Sequence, residues 1–128
     1  MSKKVKKGPS KTTFAKGALR RASLAWRPIS EARRLARKER GRYECAMCKE
    51  LFSAKEVQVD HRNPVIDIKE GWQGWDSYIE RLFCDVDQLD VLCTTCHDVK
   101  SSHEVQMRKY FRAKKKEQNL DVEDEDNE

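Results

Sequence analysis

Apolar side chains are sparse along this chain, and their spacing changes character from segment to segment. Residues 1–12 carry Lys, Ser, Thr, Gly and Pro without apolar periodicity and read as disordered. From about Thr13 a helical pattern begins: Phe14, Ala18, Leu19, Ala22, Ala25 and Trp26 recur on one face, with Arg20, Arg21 and Arg27 around them. Pro28 is expected to break that helix. Ser30 then reads as the N-cap of a second one, with Glu31 in its first turn, the bases of residues 37–40 in its last, and Gly41 as its stop.

Tyr43-Glu44-Cys45-Ala46-Met47-Cys48 reads as a tight knuckle, and Val57-Gln58-Val59-Asp60-His61 alternates like a half-buried strand ended by Asn63-Pro64. Gly71-Trp72-Gln73-Gly74-Trp75 is a loop. Asp76 is the expected cap of a short helix burying Ile79, Leu82 and Phe83. A second strand is expected over residues 89–92. A long helix then starts near Cys93-Thr94-Thr95-Cys96-His97, runs through Tyr110 and Phe111, and frays at residues 114–116. No internal repeat is present.

Composition narrows the class. The 128 residues are 38% charged and 38% hydrophobic, enough for one small core and no second cofactor-binding domain. Mean hydropathy is −0.92, and no apolar run approaches the roughly 20 residues of a membrane span. The basic start is followed by no hydrophobic segment, so a secretory signal is not expected and a reducing, cytoplasmic setting is. Charge is strongly polarised. Residues 1–42 carry 15 Lys/Arg against two acids, residues 43–116 are near neutral, and residues 117–128 carry seven acids and no base. This divides the chain into a basic arm (1–42), a middle domain (43–112), and a basic-then-acidic tail (113–128) expected to be disordered. Solubility, or keeping the arm from sticking nonspecifically, accounts for the acids.

Five cysteines in a reducing compartment point to metal rather than disulfides. Cys45-x-x-Cys48 and Cys93-x-x-Cys96 share a spacing that lets both sulfurs of a pair face one ion, and two such pairs complete a tetrahedral zinc site. The 44 residues between the pairs are no obstacle, because loop-closure cost grows only logarithmically. Structural zinc supplies roughly 10–16 kcal/mol in finger peptides. Cys84, beside Leu82 and Phe83, reads as a small buried hydrophobe.

Asp60-His61 closes the expected strand, and His97 follows the last zinc cysteine directly. If the strand returns across the helix, Asp60 and His97 face one point and can share a second metal, with His61 beside them as a base. That set suits phosphodiester hydrolysis. The alternative keeps Asp60 as a turn cap, His61 on the surface and His97 as a mere helix start.

The motifs Asp60-His61-x-x-Pro64 and Leu89-x-x-Leu92-Cys93-x-x-Cys96-His97-x-x-Lys100-Ser101-x-x-Glu104 together resemble the zinc-containing HNH endonucleases. Gly71-Trp72-x-Gly74-Trp75-Asp76 and Tyr78-Ile79-Glu80-Arg81-Leu82-Phe83-Cys84 look like the bacteriophage and prophage branch of that family. The likeness covers half the chain, from about Tyr43 to Glu104. It implies a small α+β fold built on a ββα-metal (His-Me finger) core, with a structural four-cysteine zinc site, a helical basic N-terminal arm and a long C-terminal helix. It further implies His61 as general base, with Asp60 and His97 holding a catalytic divalent ion. The family's middle Asn falls on Gln88, whose longer stem suits bracing of the loop around the base better than direct ligation.

His103 is expected on the surface, off the His97 face of the helix. Lys100 is spaced to pair with Glu104, or else to approach a phosphate. Trp72 and Trp75 are expected to pack the turn against the short helix rather than stack on bases. The charge of the arm makes DNA the expected partner, through Arg20, Arg21, Arg33, Arg34, Arg37, Lys38 and Lys100.

The resemblance thus implies a monomeric, metal-dependent DNA endonuclease leaving 5′-phosphate and 3′-hydroxyl ends. Mg²⁺ is the expected ion, with Mn²⁺ or Ni²⁺ able to replace it because His97 offers nitrogen. Related phage proteins accompany the DNA-packaging terminase, which makes genome packaging or processing, in a host cytoplasm, the implied setting. The rival is a catalytically silent zinc module that binds DNA or a packaging protein. A zinc-stapled interaction protein without nucleic acid leaves the arm unexplained.

Overall fold

Ser10 starts the first helix by accepting the Thr13 backbone N–H at 3.2 Å on its hydroxyl oxygen. In this computed structural model, which describes residues 8–118, α1 spans Lys11–Ala22. Residues 11 and 12, expected to be disordered, are therefore helical, because Ser10 caps them. The disorder expected for residues 1–7 and 119–128 lies outside the described residues.

A 3-10 turn over Ser23–Ala25 leads to α2, Arg27–Ala36. Pro28 does not break a helix but opens one. It sits in the first turn, where a missing N–H costs nothing. Trp26 holds the N-cap position, and Ser30 lies inside the helix, donating its hydroxyl to the Arg27 carbonyl at 3.0 Å. Residues 37–40 are not its last turn. Arg37–Glu39 (β1) and Arg42–Glu44 (β2) form a hairpin around Gly41, whose φ of +72° suits a glycine. Pairing of β2 with Leu51–Phe52 (β3), Tyr43 opposite Phe52, supplies the ladder that outweighs local helix propensity.

A second sheet pairs Val57–His61 (β4) with Leu89–Cys93 (β5), antiparallel, with Asp60 opposite Asp90 and His61 opposite Leu89. Between them lies α3, Trp75–Leu82. Asp76 is in its first turn but is not the cap; Gly74, at φ +97°, occupies that position. The buried face of α3 is Tyr78 and Leu82, while Ile79 is 44% exposed. Trp72 and Trp75 pack with Tyr78 in an aromatic cluster, the turn-packing arrangement. The last helix, α4, runs Thr94–Gln118, so residues 113–118 are helical rather than disordered.

Among the described residues, four α-helices and two small antiparallel sheets make a small α+β fold. Ala32 of α2 packs with Val57, Leu89 and Val91, and Leu19 of α1 packs on Val65, Tyr78 and Leu82. The Tyr78 hydroxyl also donates to the Lys16 carbonyl at 3.0 Å. The basic helices are therefore packed on the rest of the fold, α2 on β4 and β5 and α1 on α3 and Val65. None of the described helices is long and apolar enough to cross a membrane.

Candidate functional site

The turn after β2 carries Cys45 and Cys48; the end of β5 and first turn of α4 carry Cys93 and Cys96. The Ala46 N–H donates to the Val91 carbonyl at 2.8 Å and ties the knuckle to β5. All four Sγ atoms lie within 4.8 Å of one another. Sulfurs at about 2.3 Å from a tetrahedral zinc stand about 3.8 Å apart, and those of Cys48 and Cys93 are 3.9 Å apart. In each pair a backbone N–H turns toward the first sulfur, Cys48 toward Cys45 at 3.5 Å and Cys96 toward Cys93 at 3.4 Å. The four cysteines are positioned to hold a metal ion, consistent with structural zinc.

Their protonation without metal fits that use. Burial pushes the Cys45 thiol up, but backbone N–H groups of Cys48, Cys93 and Met47 outweigh it and bring it down to about 6. Cys96 is pushed up to about 12 by burial and by the neighbouring sulfurs. Four thiolates this close need a cation between them.

Asp60 and His61 end β4 where it meets α4. Together with His97 they line one cavity of about 350 Å³. The His61 Nε2 lies 2.9 Å from the Leu82 carbonyl oxygen. A carbonyl only accepts, so Nε2 carries the proton, and Nδ1 of the neutral ring keeps its lone pair. Leu82 itself is fully buried, which makes that carbonyl a rigid anchor for the ring. Lys100, one turn beyond His97, places its ammonium 2.7 Å from Asp60 Oδ2 and also donates to the His61 carbonyl. Its expected helical partner Glu104 is farther, at 3.7 Å.

Gln88 stands outside this cavity. Its side-chain oxygen accepts from Asn63 Nδ2 at 3.2 Å, and its carbonyl accepts the Arg62 N–H at 2.9 Å. It therefore holds the two residues that follow His61. The Asp60 carboxylate and the His97 imidazole border one cavity, while among the described residues the four cysteines are the group whose ligand atoms converge closely enough for one ion.

No protein-family model, curated protein or solved structure matches this chain.

Of the basic residues singled out above, Arg20, Arg21 and Arg33 line the same cavity as Asp60, His61 and His97. The others are elsewhere or engaged. Arg34 is paired with Glu31 at 2.6 Å. Arg37 and Lys38 lie on β1, Lys38 with its ammonium 3.9 Å from Glu44, and Lys100 is on Asp60. His103 is exposed. Cys84 is half-buried, and burial pushes its thiol up; its carbonyl accepts the Trp26 indole N–H at 2.7 Å. Charge counting gave no signal for Arg108, whose guanidinium donates to the Ile66 and Asp67 carbonyls at 2.8 and 3.4 Å. Its place on the His97 face, three turns on, was readable from helical spacing alone.

Proposed function

We propose that this chain is a metal-dependent DNA endonuclease of the HNH type, hydrolysing phosphodiester bonds of duplex DNA. The observation that carries the reading is the His61 ring, locked through Nε2 on the Leu82 carbonyl, in a cavity it shares with Asp60, His97 and three arginines. The order β4, β5, α4 is the one expected of a ββα-metal core, and the resemblance of the motifs supports it. In this reading the Nδ1 lone pair of His61 takes a proton from the attacking water. Arg20, Arg21 and Arg33 hold the flanking phosphates, and Gln88 keeps the segment after His61 in register. Asp60 and His97 would hold the divalent ion, Mg²⁺ or else Mn²⁺ or Ni²⁺. When bound, such an ion neutralises charge on the phosphate and on the leaving oxygen. The four-cysteine zinc stays apart from the chemistry and seats His97. Cleavage would leave 5′-phosphate and 3′-hydroxyl ends, and phage genome packaging or processing beside a terminase is the matching occasion.

One observation favours the second reading, a silent zinc module that binds DNA or a packaging protein: the Asp60 carboxylate already has a cation, the Lys100 ammonium. Supercoiled plasmid separates the two. Nicking in Mg²⁺ or Mn²⁺ that is lost in EDTA and in His61→Ala supports the nuclease. Binding without nicking in any of these metals supports the module.

A further inference from the structure

The cavity at His61 is one of three depressions that share residues. A second, of about 130 Å³, is lined by Arg20, Asp60 and His61 again, and by Glu104 and Arg108. A third, of about 140 Å³, shares Arg108 and adds Lys69, Arg112 and Lys115. Helical geometry explains the alignment. On α4, His97, Lys100, Glu104, Arg108, Arg112 and Lys115 recur every three or four residues and form one stripe. From His97 to Lys115 that stripe is about 27 Å long at ~1.5 Å per residue.

The cations in these depressions differ from other bases in their partners. Arg34, Arg62 and Arg81 each bind a carboxylate, of Glu31, Asp90 and Asp67. Among the described residues, Arg20, Arg21, Arg33, Arg108, Arg112 and Lys115 form no ion pair with a carboxylate. Arg33 and Arg108 instead donate to carbonyls, which fix the guanidinium without cancelling its charge. Arg108 reaches the Asp67 carbonyl, whereas the Asp67 carboxylate accepts from the Glu70 and Lys69 N–H groups and from Arg81. The acids inside the run, Asp60 and Glu104, both flank Lys100.

We infer that the three depressions form one track for the phosphodiester backbone of duplex DNA. It runs from Arg33 past Asp60 and His61 to Arg108, Arg112 and Lys115, its distal contacts. The inference rests on the nuclease reading for its occupant and extends it to residues on α4. At about 3.4 Å per base pair the stripe matches roughly eight base pairs on one side of the cut. Contacts of this kind are to phosphates and carry no sequence information.

The test is binding of a labelled duplex to the zinc-loaded protein, in buffer without added Mg²⁺ or Mn²⁺, across a salt series, by fluorescence anisotropy. Arg112→Ala with Lys115→Ala is expected to weaken binding roughly five- to tenfold at low salt and to lower the log–log salt slope by about 2. Alanine favours helix, so α4 persists, and unchanged zinc content and circular dichroism verify it. Arg40→Ala with Lys55→Ala removes the same charge from exposed positions off the track and is expected to leave both quantities unchanged. An unaltered slope in the first pair, or an equal loss in the second, overturns the track. Because leaving out Mg²⁺ and Mn²⁺ removes catalysis from the readout, the two ideas part cleanly. Weakened binding in the first pair together with absent cleavage in every metal keeps the track and sinks the nuclease. Cleavage with unaltered binding does the opposite.

Discussion

The Lys100 ammonium lies 2.7 Å from the Asp60 carboxylate, an ångström closer than to Glu104, its neighbour one turn on in the helix. Side chains of Lys100 and Asp60 are only about one-fifth exposed, 20% and 21%, so water and salt screen the pair less than a surface bridge. The Lys-before-Glu order is the weaker one for a helical pair. The tertiary partner wins.

Lys100→Met should therefore free the Asp60 carboxylate for a divalent cation. The expected outcome is Mn²⁺ affinity raised roughly tenfold, equivalent to about 1.4 kcal/mol, by calorimetric titration of the zinc-loaded protein. Equal affinity in the two proteins would show that Lys100 does not compete for the carboxylate.

His61→Ala removes the proposed base and one hydrogen bond to the Leu82 carbonyl. Nicking should fall by roughly 10²–10⁴, while stability falls by only about 1 kcal/mol in a urea melt. A variant that unfolds without losing its rate when folded would reassign His61 to structure.

Zinc binding should release fewer than four protons per chain at pH 7. Cys45, drawn down to about 6, is already a thiolate there, whereas Cys96, pushed up to about 12, still holds its proton. As the pH falls through 6 the count should rise, because Cys45 then also carries a proton to displace. Calorimetry in buffers of differing ionisation enthalpy counts these protons. Cys45→Ser should lose both the metal, about one zinc per chain, and the fold.

Gln88 and Asn63 should behave as a coupled pair. Single alanine substitutions are each expected to slow nicking several-fold without loss of zinc. The double substitution should fall short of their sum by on the order of 0.5–1 kcal/mol. Full additivity would mean that their 3.2 Å hydrogen bond does not position His61.

Leu82→Ala tests the anchor beneath the histidine. Leu82 is fully buried among Val65 and Tyr78, so truncation should cost roughly 2–5 kcal/mol of stability. Its carbonyl remains, and any nicking activity at a permissive temperature should survive.

By itself the sequence determined whatever depends on spacing along one element. The gathering of four cysteines that could hold a metal follows from two identical pairs. The strand at residues 57–61 follows from alternation, and the long helix after Cys93 from its periodicity, since ladders, knuckles and helix faces repeat at intervals visible in one dimension. What depends on a partner distant in the chain was decided only by tertiary structure. Pro28 is read alone as a breaker, yet it opens α2, because Ala32 seats that helix on Val57, Leu89 and Val91. Residues 37–40 look helical until β3 offers Tyr43 a neighbour in Phe52. Lys100 has a carboxylate one turn away but finds a nearer one on β4. The physical reason is shared: short elements with weak propensity take their form, and a long side chain its partner, from the surface and polar groups that packing supplies.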